Sequence, residues 1–566
     1  MTDPLPVQPS PISSAIGELS ERYWESSLTL SPLTASFYGD QRYADRLDDP
    51  GPDGRAAQRE LAEQTIAATA AIDRSEASPD DLITLDMLRA VSEQTIESDA
   101  LRLHELQVVD QMNGPQTILP QICQFQPAGT PDELERFESR LRAYPAFMAA
   151  WTEIVREGLA SGLTAPRIVA ERTVAQLERL LAVPLASAIV ADAAQVAGDA
   201  ERERVRELVA AHVYPADQRF LDAIRGDYLA ATRTEPGLWS APNGEELYRV
   251  LIRHWTTLDL DPDEVHGSGL AQIDEIEGQR RIIAQAAGFG DDTRAYRRAL
   301  DDDPSNQPPT KDALVARAAE DITRAMATAP NYFGRMPLAG CDVRAVEDFK
   351  EQDAPFAYYY PPSTDRSRPG IYYVNGYDLG SRTYTKLAST TYHEAIPGHH
   401  FQIALEMEHP GLNVFRRLGA RSLAGAYVEG WGLYSERLAD EMGLYRSEGE
   451  RFGMLDAQAW RAARLVVDTG LHAKRWSRQQ SVEFLVRTGL SMTDATIETD
   501  RYIAMPAQAL TYMVGQREIQ RLRAEIEARD GDRFDLTAFH DAVLGHGSLP
   551  LATLTRELPG WVTPRG

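Results

Sequence analysis

Thr391-Tyr-His-Glu-Ala-Ile-Pro-Gly-His-His-Phe-Gln402 gathers three of the chain's eleven histidines and a glutamate into one short run. His393-Glu394 reads as the opening of a zinc-hydrolase helix, in which the imidazole binds the metal and the neighbouring carboxylate takes a proton from water. The second imidazole of such a helix ordinarily stands four residues on, one turn away. Here that position is Pro397, which offers no ligand atom, and the next histidines are His399 and His400.

A regular helix would carry these side chains too far. Six residues rotate the helix by about 120° from the starting face and seven bring it back to within about 20°, with rises of roughly 9 and 10.5 Å. Pro397 removes a helical hydrogen bond and crowds the carbonyl four residues earlier, while Gly398 adds backbone freedom. A kink or bulge at Ile396–Gly398 is therefore expected within a helix from about Thr383 to Glu408, returning a later imidazole to the metal. Spacing leaves His399 and His400 both open.

A following helix carries Tyr427-Val-Glu-Gly-Trp-Gly-Leu-Tyr-Ser-Glu-Arg437. Glu429 completes a set of two imidazoles and one carboxylate, with a position left for water. Glu436 is seven residues on, on the same face, where it could hold a ligand imidazole. The donor set suits one Zn2+ per chain, and manganese or cobalt would fit the same ligands. An amide hydrolase also needs a donor for the oxyanion and often a cation for a substrate carboxylate. Tyr512, Tyr502 and His472 are the donor candidates, and Arg501 is the cation candidate.

Before the metal stretch the pattern is helical from about Ile16 to Arg344. Ser78-Pro-Asp-Asp81 and Thr130-Pro-Asp-Glu133 each combine an N-cap, Pro at the first helical position and a carboxylate at the third. Near Ala354 the pattern changes. Ala354–Tyr360 and Gly370–Asn375 are aromatic and β-branched and read as a hairpin or small edge sheet. Tyr373 is its candidate substrate contact, since an edge strand can pair with an extended peptide. The expected organisation is a disordered Pro-rich tail over residues 1–15, a helical lobe over 16–345 and a metal-site lobe over 346–566.

The 566 residues are 43% hydrophobic and 25% charged, an ordinary globular balance, and carry a net charge of −27. That acidity argues against nucleic acid and anionic membranes as partners. The two cysteines, Cys123 and Cys341, form no CxxC motif and no disulfide framework. The N-terminus shows neither a basic region nor an apolar core segment, so no signal peptide is read there. No apolar run approaches a membrane span. A cytoplasmic location is expected. The oligomeric state is not read from the sequence.

His393-Glu-x-x-Pro-Gly-His-x-x-Gln402 together with Glu429-Gly-Trp-x-Leu-Tyr-x-Glu436 resembles a bacterial family known as domain of unknown function 885. Arg501-Tyr-x-x-x-Pro-x-Gln-Ala509, Leu30-Ser-Pro-Leu33, Gly39-Asp40 and Asn113-Gly-Pro-Gln116 carry the same likeness in the same order. That family looks like a distant relative of helical zinc peptidases of the thimet-oligopeptidase and carboxypeptidase-Taq types. The resemblance implies a mainly α, zincin-like fold with a deep cleft between lobes and a small sheet beside the metal helix. It also favours His399 over His400 as the ligand beside His393 and Glu429. The expected activity is a zinc peptidase acting on short peptides with Glu394 as general base. The rivals are a metal-dependent hydrolase of an ester, amide or lactam in a small metabolite, and a helical binding protein with a relic motif.

Overall fold

Ser78 and Thr130 open their helices as their sequence context demands. The Ser78 hydroxyl accepts from the Asp81 amide while Asp81 accepts from that of Ser78, and Thr130 and Glu133 repeat the exchange. Each pair satisfies two amides that a helix start leaves without partners. The computed structural model describes residues 11–184, 198–346, 351, 355–363 and 368–564. The fold is mainly helical with one three-stranded sheet among the described residues. Among the described residues, no helix is long and apolar enough to cross a membrane.

The chain divides into two compact units. One comprises residues up to Leu247 together with Asn413–Phe415, and the other comprises Tyr248–Leu412 and Arg416–Gly566. The sequence pattern had put the boundary at 345, where strand signals begin. Helix Pro11–Leu30 starts inside the stretch read as a tail to residue 15, and residues 1–10 lie outside the described residues.

In the first unit, Pro11–Leu30, Pro52–Ala71 and Pro79–Ala100 pack together, and the long helix Pro131–Ser161 packs on Tyr214–Ala223. The long helix carries Arg140, which is fully buried. Its guanidinium donates to the carbonyls of Arg46 (2.7 Å), Pro32 (3.1 Å) and Tyr43 (3.2 Å) and to the side chains of Gln126 and Ser36. Burial pulls its pKa down to about 10, opposed by Asp48. One cation thus collects the loose carbonyls of the Ser31–Arg46 segment, and this is how a buried charge becomes tolerable.

In the second unit, Pro262–Ala286 lies along Glu448–His472, which also packs on Tyr384–Glu394. Gly425–Glu441 lies along Thr511–Asp530 at a backbone-to-backbone contact. A methyl group on Gly430 would stand 2.4 Å from the Gly515 carbonyl carbon, and one on Gly515 would stand 1.8 Å from the Ala426 oxygen. Only glycine fits at either place.

The sheet has the order β1-β3-β2, with β1 at Cys341–Ala345, β2 at Ala357–Tyr360 and β3 at Gly370–Val374. The expected hairpin is present: β2 and β3 run antiparallel with Tyr358 opposite Tyr373 and Tyr359 opposite Tyr372. Ala354 and residues 364–367 of the connecting turn lie outside the described residues. β1 corrects the helical reading of this stretch; it pairs parallel to β3, Cys341 opposite Gly370. Five residues with alternating half-exposure carry too little pattern to declare a strand whose partner lies far along the chain.

Candidate metal centre

Where one helix was expected from Thr383 to Glu408, the structure has two, Tyr384–Glu394 and His399–Glu408. The distortion is a full break rather than a bulge. Ala395 (φ −109°, ψ −97°) and Gly398 (φ −78°, ψ −131°) leave helical space, and the Ile396–Pro397 peptide is cis. The freed Pro397 carbonyl accepts from Trp431 Nε1 at 2.9 Å and from the Ser435 hydroxyl at 3.3 Å. The Phe401 amide reaches back to the Ala395 carbonyl. A side chain on Gly398 would overlap the His393 carbonyl, its first atom only 1.9 Å away, so the chain can double back only through glycine.

The break delivers His399 beside His393, with ring centroids 4.7 Å apart and planes at 84°. Glu429 faces both from helix Gly425–Glu441. Its Oε2 is 3.5 Å from His393 Nε2 and 3.4 Å from His399 Nε2. The three ligand atoms all lie within 4.8 Å of one another. Tetrahedral ligands at 2.0–2.1 Å from zinc stand roughly 3.3 Å apart, so these spacings suit a common centre. Glu429 Oε2 and His399 Nδ1 are buried without a hydrogen-bond partner, a condition that a cation relieves at the carboxylate. The donor set and the orphaned oxygen therefore fit a zinc-type ion. Gly432 keeps the space open, because a methyl there would be 2.8 Å from His393 Nε2.

The electrostatics follow from this crowding. Burial presses the His393 imidazole toward neutrality, but the Glu429 carboxylate 3.5 Å away and Glu436, hydrogen-bonded to Nδ1, outweigh that and hold its pKa up at about 9. Burial also pushes Glu429 upward, and the two imidazoles overcome it to hold the carboxyl well below its ordinary range. A metal held here would require His393 in its neutral form. Burial raises the pKa of Glu394 against the pull of His399 and His393, which makes it a stronger base once ionised.

His400 faces the other way. Its Nε2 donates to the Ala339 carbonyl at 3.1 Å, so Nδ1 accepts from the Tyr359 hydroxyl at 2.9 Å. Burial lowers its pKa to about 4 and keeps it neutral. Glu436 stands where the seven-residue spacing put it. His393 Nδ1 donates to Glu436 Oε1 at 2.9 Å, which leaves Nε2 toward the centre. Gln458 steadies the other carboxylate oxygen at 3.2 Å. Glu436→Ala is expected to weaken metal affinity by about 10- to 100-fold without abolishing binding. A chelator-competition titration measures it, and unchanged affinity would remove this role.

The remaining candidates separate. Tyr512 stacks on His393 with centroids 6.2 Å apart, and its hydroxyl has no hydrogen-bond partner among the described residues. Tyr502 is turned to other work: its hydroxyl accepts from Arg464 Nε at 3.0 Å and Trp460 Nε1 at 3.2 Å. His472 donates to the Tyr502 carbonyl at 3.0 Å and lies against Tyr248. Asp468, one turn earlier, accepts from the Ala507 amide at 3.0 Å. His472 and Asp468 thus pin the segment leading into the Tyr512 helix. Arg501 donates to Gln508 at 2.9 Å and is within electrostatic reach of Tyr512. Tyr373 stacks on Tyr358 at 5.0 Å, on the sheet face opposite Tyr372, whose hydroxyl is 3.3 Å from that of Thr391 in the His393 helix. The structure does not bring Tyr373 to the centre. Arg461 and Arg464, which the sequence reading passed over, stand close to it. Their only sequence signal is a spacing of three on one helix face.

A second group of donors, His104, Glu105 and Glu157, lies in the first unit. Its carboxylates are already neutralised, Glu105 by Arg102 and Glu157 by Arg55 at 3.3 Å. Guanidinium groups occupy the role a cation would take there.

A family model described as bacterial protein of unknown function (DUF885) matches residues 32–558. The fold is shared along nearly its whole length with the crystal structure of a "putative lipoprotein" from Colwellia psychrerythraea. That chain is 28% identical, with 97% of this chain and 99% of that one covered and a TM-score of 0.88. A "putative lipoprotein of unknown function" from Shewanella oneidensis shares the fold at 19% identity and a TM-score of 0.74, covering 96% and 99% of the two chains. No curated protein matches the chain. The expectation of a cytoplasmic protein does not stand, because the Colwellia psychrerythraea neighbour is named a "putative lipoprotein", and lipoproteins are held at a membrane outside the cytoplasm. Two cysteines that form no disulfide with each other are compatible with either side of a membrane and could not decide it. The chain belongs to the DUF885 family of bacterial proteins of unknown function.

Proposed function

We propose that this chain is a zinc-dependent hydrolase of amide bonds in short peptides, working at the His393–His399–Glu429 centre. The observation that carries this reading is the convergence of two imidazoles on one buried carboxylate oxygen, beside a glutamate that is not itself one of the three. A bound zinc ion supplies Lewis-acid chemistry that makes water nucleophilic near neutral pH. Glu394 accepts the proton that water gives up and returns it to the leaving nitrogen. The free hydroxyl of Tyr512 donates to the oxyanion that forms on the attacked carbonyl. Glu436 and Gln458 keep His393 in the required tautomer. The likeness to a protein named as a lipoprotein supports a setting outside the cytoplasm.

The test is a digest of a short-peptide library by the zinc-loaded protein, read by mass spectrometry. Defined cleavage ends that vanish on chelation are expected. A protein that holds one zinc ion and leaves every peptide intact would overturn the peptidase reading in favour of a small-metabolite ester or lactam. A protein that holds no metal would overturn the centre itself.

A further inference from the structure

Trp460-Arg-Ala-Ala-Arg464 sets two arginines three residues apart on one face of helix Glu448–His472. Both guanidinium groups stack on Trp460, at 4.2 Å for Arg461 and 4.5 Å for Arg464. Arg464 also lies 4.3 Å above the ring of Tyr512, and that ring stacks on the His393 imidazole. A single aromatic ring therefore separates a buried cation from the metal centre. Arg461 is within electrostatic reach of Glu394, and Arg501 of Tyr512.

The charges do not balance. Glu498 pairs with Arg464 at 3.1 Å and with Arg501 at 3.6 Å. Arg461 has no ion pair among the described residues; its electrostatic counterpart is Glu394. Three guanidinium groups against Glu498 and an ionised Glu394 leave one positive charge over. Arg464 Nη1 and Arg461 Nε are buried with no acceptor. In a chain whose net charge is −27, a surplus of cations beside the centre runs against the overall composition. Unmatched buried donors and an unmatched charge are costly unless something brings acceptors to them. A single carboxylate would cancel the charge and fit a guanidinium fork side by side.

Resting on the hydrolase reading, we infer that Arg461, Arg464 and Arg501 receive a free carboxylate of the substrate, so that the substrate class is amides bearing a carboxylate near the scissile bond, above all peptides cut close to a free C-terminus. Arg461 is the specificity-determining member, because it alone of the three makes no ion pair among the described residues.

The experiment uses the full-length, zinc-loaded protein and two matched libraries of N-acetylated tripeptides, one with free C-terminal acids and one with C-terminal carboxamides. Two quantities are read: cleavage by mass spectrometry, and the shift in unfolding temperature at millimolar peptide. The acids are expected to be cleaved at least about 10- to 100-fold more efficiently than the amides. Arg461→Met is expected to collapse that ratio while retaining the metal, and Arg501→Met to reduce it. Equal cleavage of both libraries would overturn the carboxylate inference and leave the hydrolase reading standing. No cleavage, with acids alone stabilising the wild type and failing to stabilise Arg461→Met, would uphold the carboxylate site and overturn the hydrolase reading. No cleavage and no preference for acids in binding would overturn the inference directly.

Discussion

Glu394→Gln is expected to lower kcat by at least about a thousandfold while leaving bound zinc near one per chain. The substitution keeps the size of the side chain and removes only its ability to take up a proton. Glu394 lies outside the three-residue donor set, so the metal should be indifferent to the change. Burial raises its pKa, while His399 and His393 draw it back, and a carboxylate held in that balance is the better base for it. Positioned general bases contribute about 10²- to 10⁴-fold, and here the same group is asked both to accept and to return the proton. The measurement is steady-state kinetics on any peptide the library digest identifies, paired with metal analysis of the same preparation. Activity within tenfold of the wild type would assign the proton transfer to another group. Loss of zinc together with activity would place Glu394 among the ligands.

Gly515→Ala is expected to cost about 3 kcal/mol or more of folding stability, at or beyond the upper end of ordinary overpacking. The added methyl would stand 1.8 Å from the Ala426 carbonyl oxygen, where no rotamer change can help. The two helices would have to separate, and one carries Glu429 while the other carries Tyr512. Loss of metal affinity should therefore accompany loss of stability. Gly278 is the contrast: nothing lies within 4 Å of the position its methyl would take, on helix Pro262–Ala286. Gly278→Ala should be neutral or stabilise by up to about 1 kcal/mol, the ordinary helix-propensity gain. Denaturant unfolding of both variants, followed by tryptophan fluorescence, checks the pair. A Gly515→Ala protein as stable as the Gly278→Ala protein would mean that the helix contact is more yielding than its geometry implies.

Much of the centre was legible because local chemistry wrote it. Pro397-Gly398 announced a disruption, and the seven-residue interval from Glu429 to Glu436 placed the His393 partner on the correct face. Ser78 and Thr130 carried complete capping signals. What could not be read depends on contacts between distant segments. Five residues at Cys341–Ala345 become a strand only because Gly370–Val374 lies beside them. Tyr373 alternates correctly along its strand, but alternation does not say which face meets the helices. Arg461 and Arg464 look like any solvated pair on a helix until the packing around Trp460 buries Arg464 and half-buries Arg461. His399 and His400 were separable only through the family likeness, since a broken helix has no fixed rotation between its halves. The compartment was misread because composition and cysteine number are shared by proteins on both sides of a membrane.

Consecutive residues on one helical turn point in different directions, and this ties two parts of the molecule to a common pivot. His399 looks into the centre, while its neighbour is clamped at both ring nitrogens between Tyr359 of β2 and the carbonyl of Ala339, just ahead of β1. Neither imidazole can swing without dragging the other. The little sheet therefore acts as an outrigger for the centre: it contributes no donor atom, yet it holds the turn that carries one.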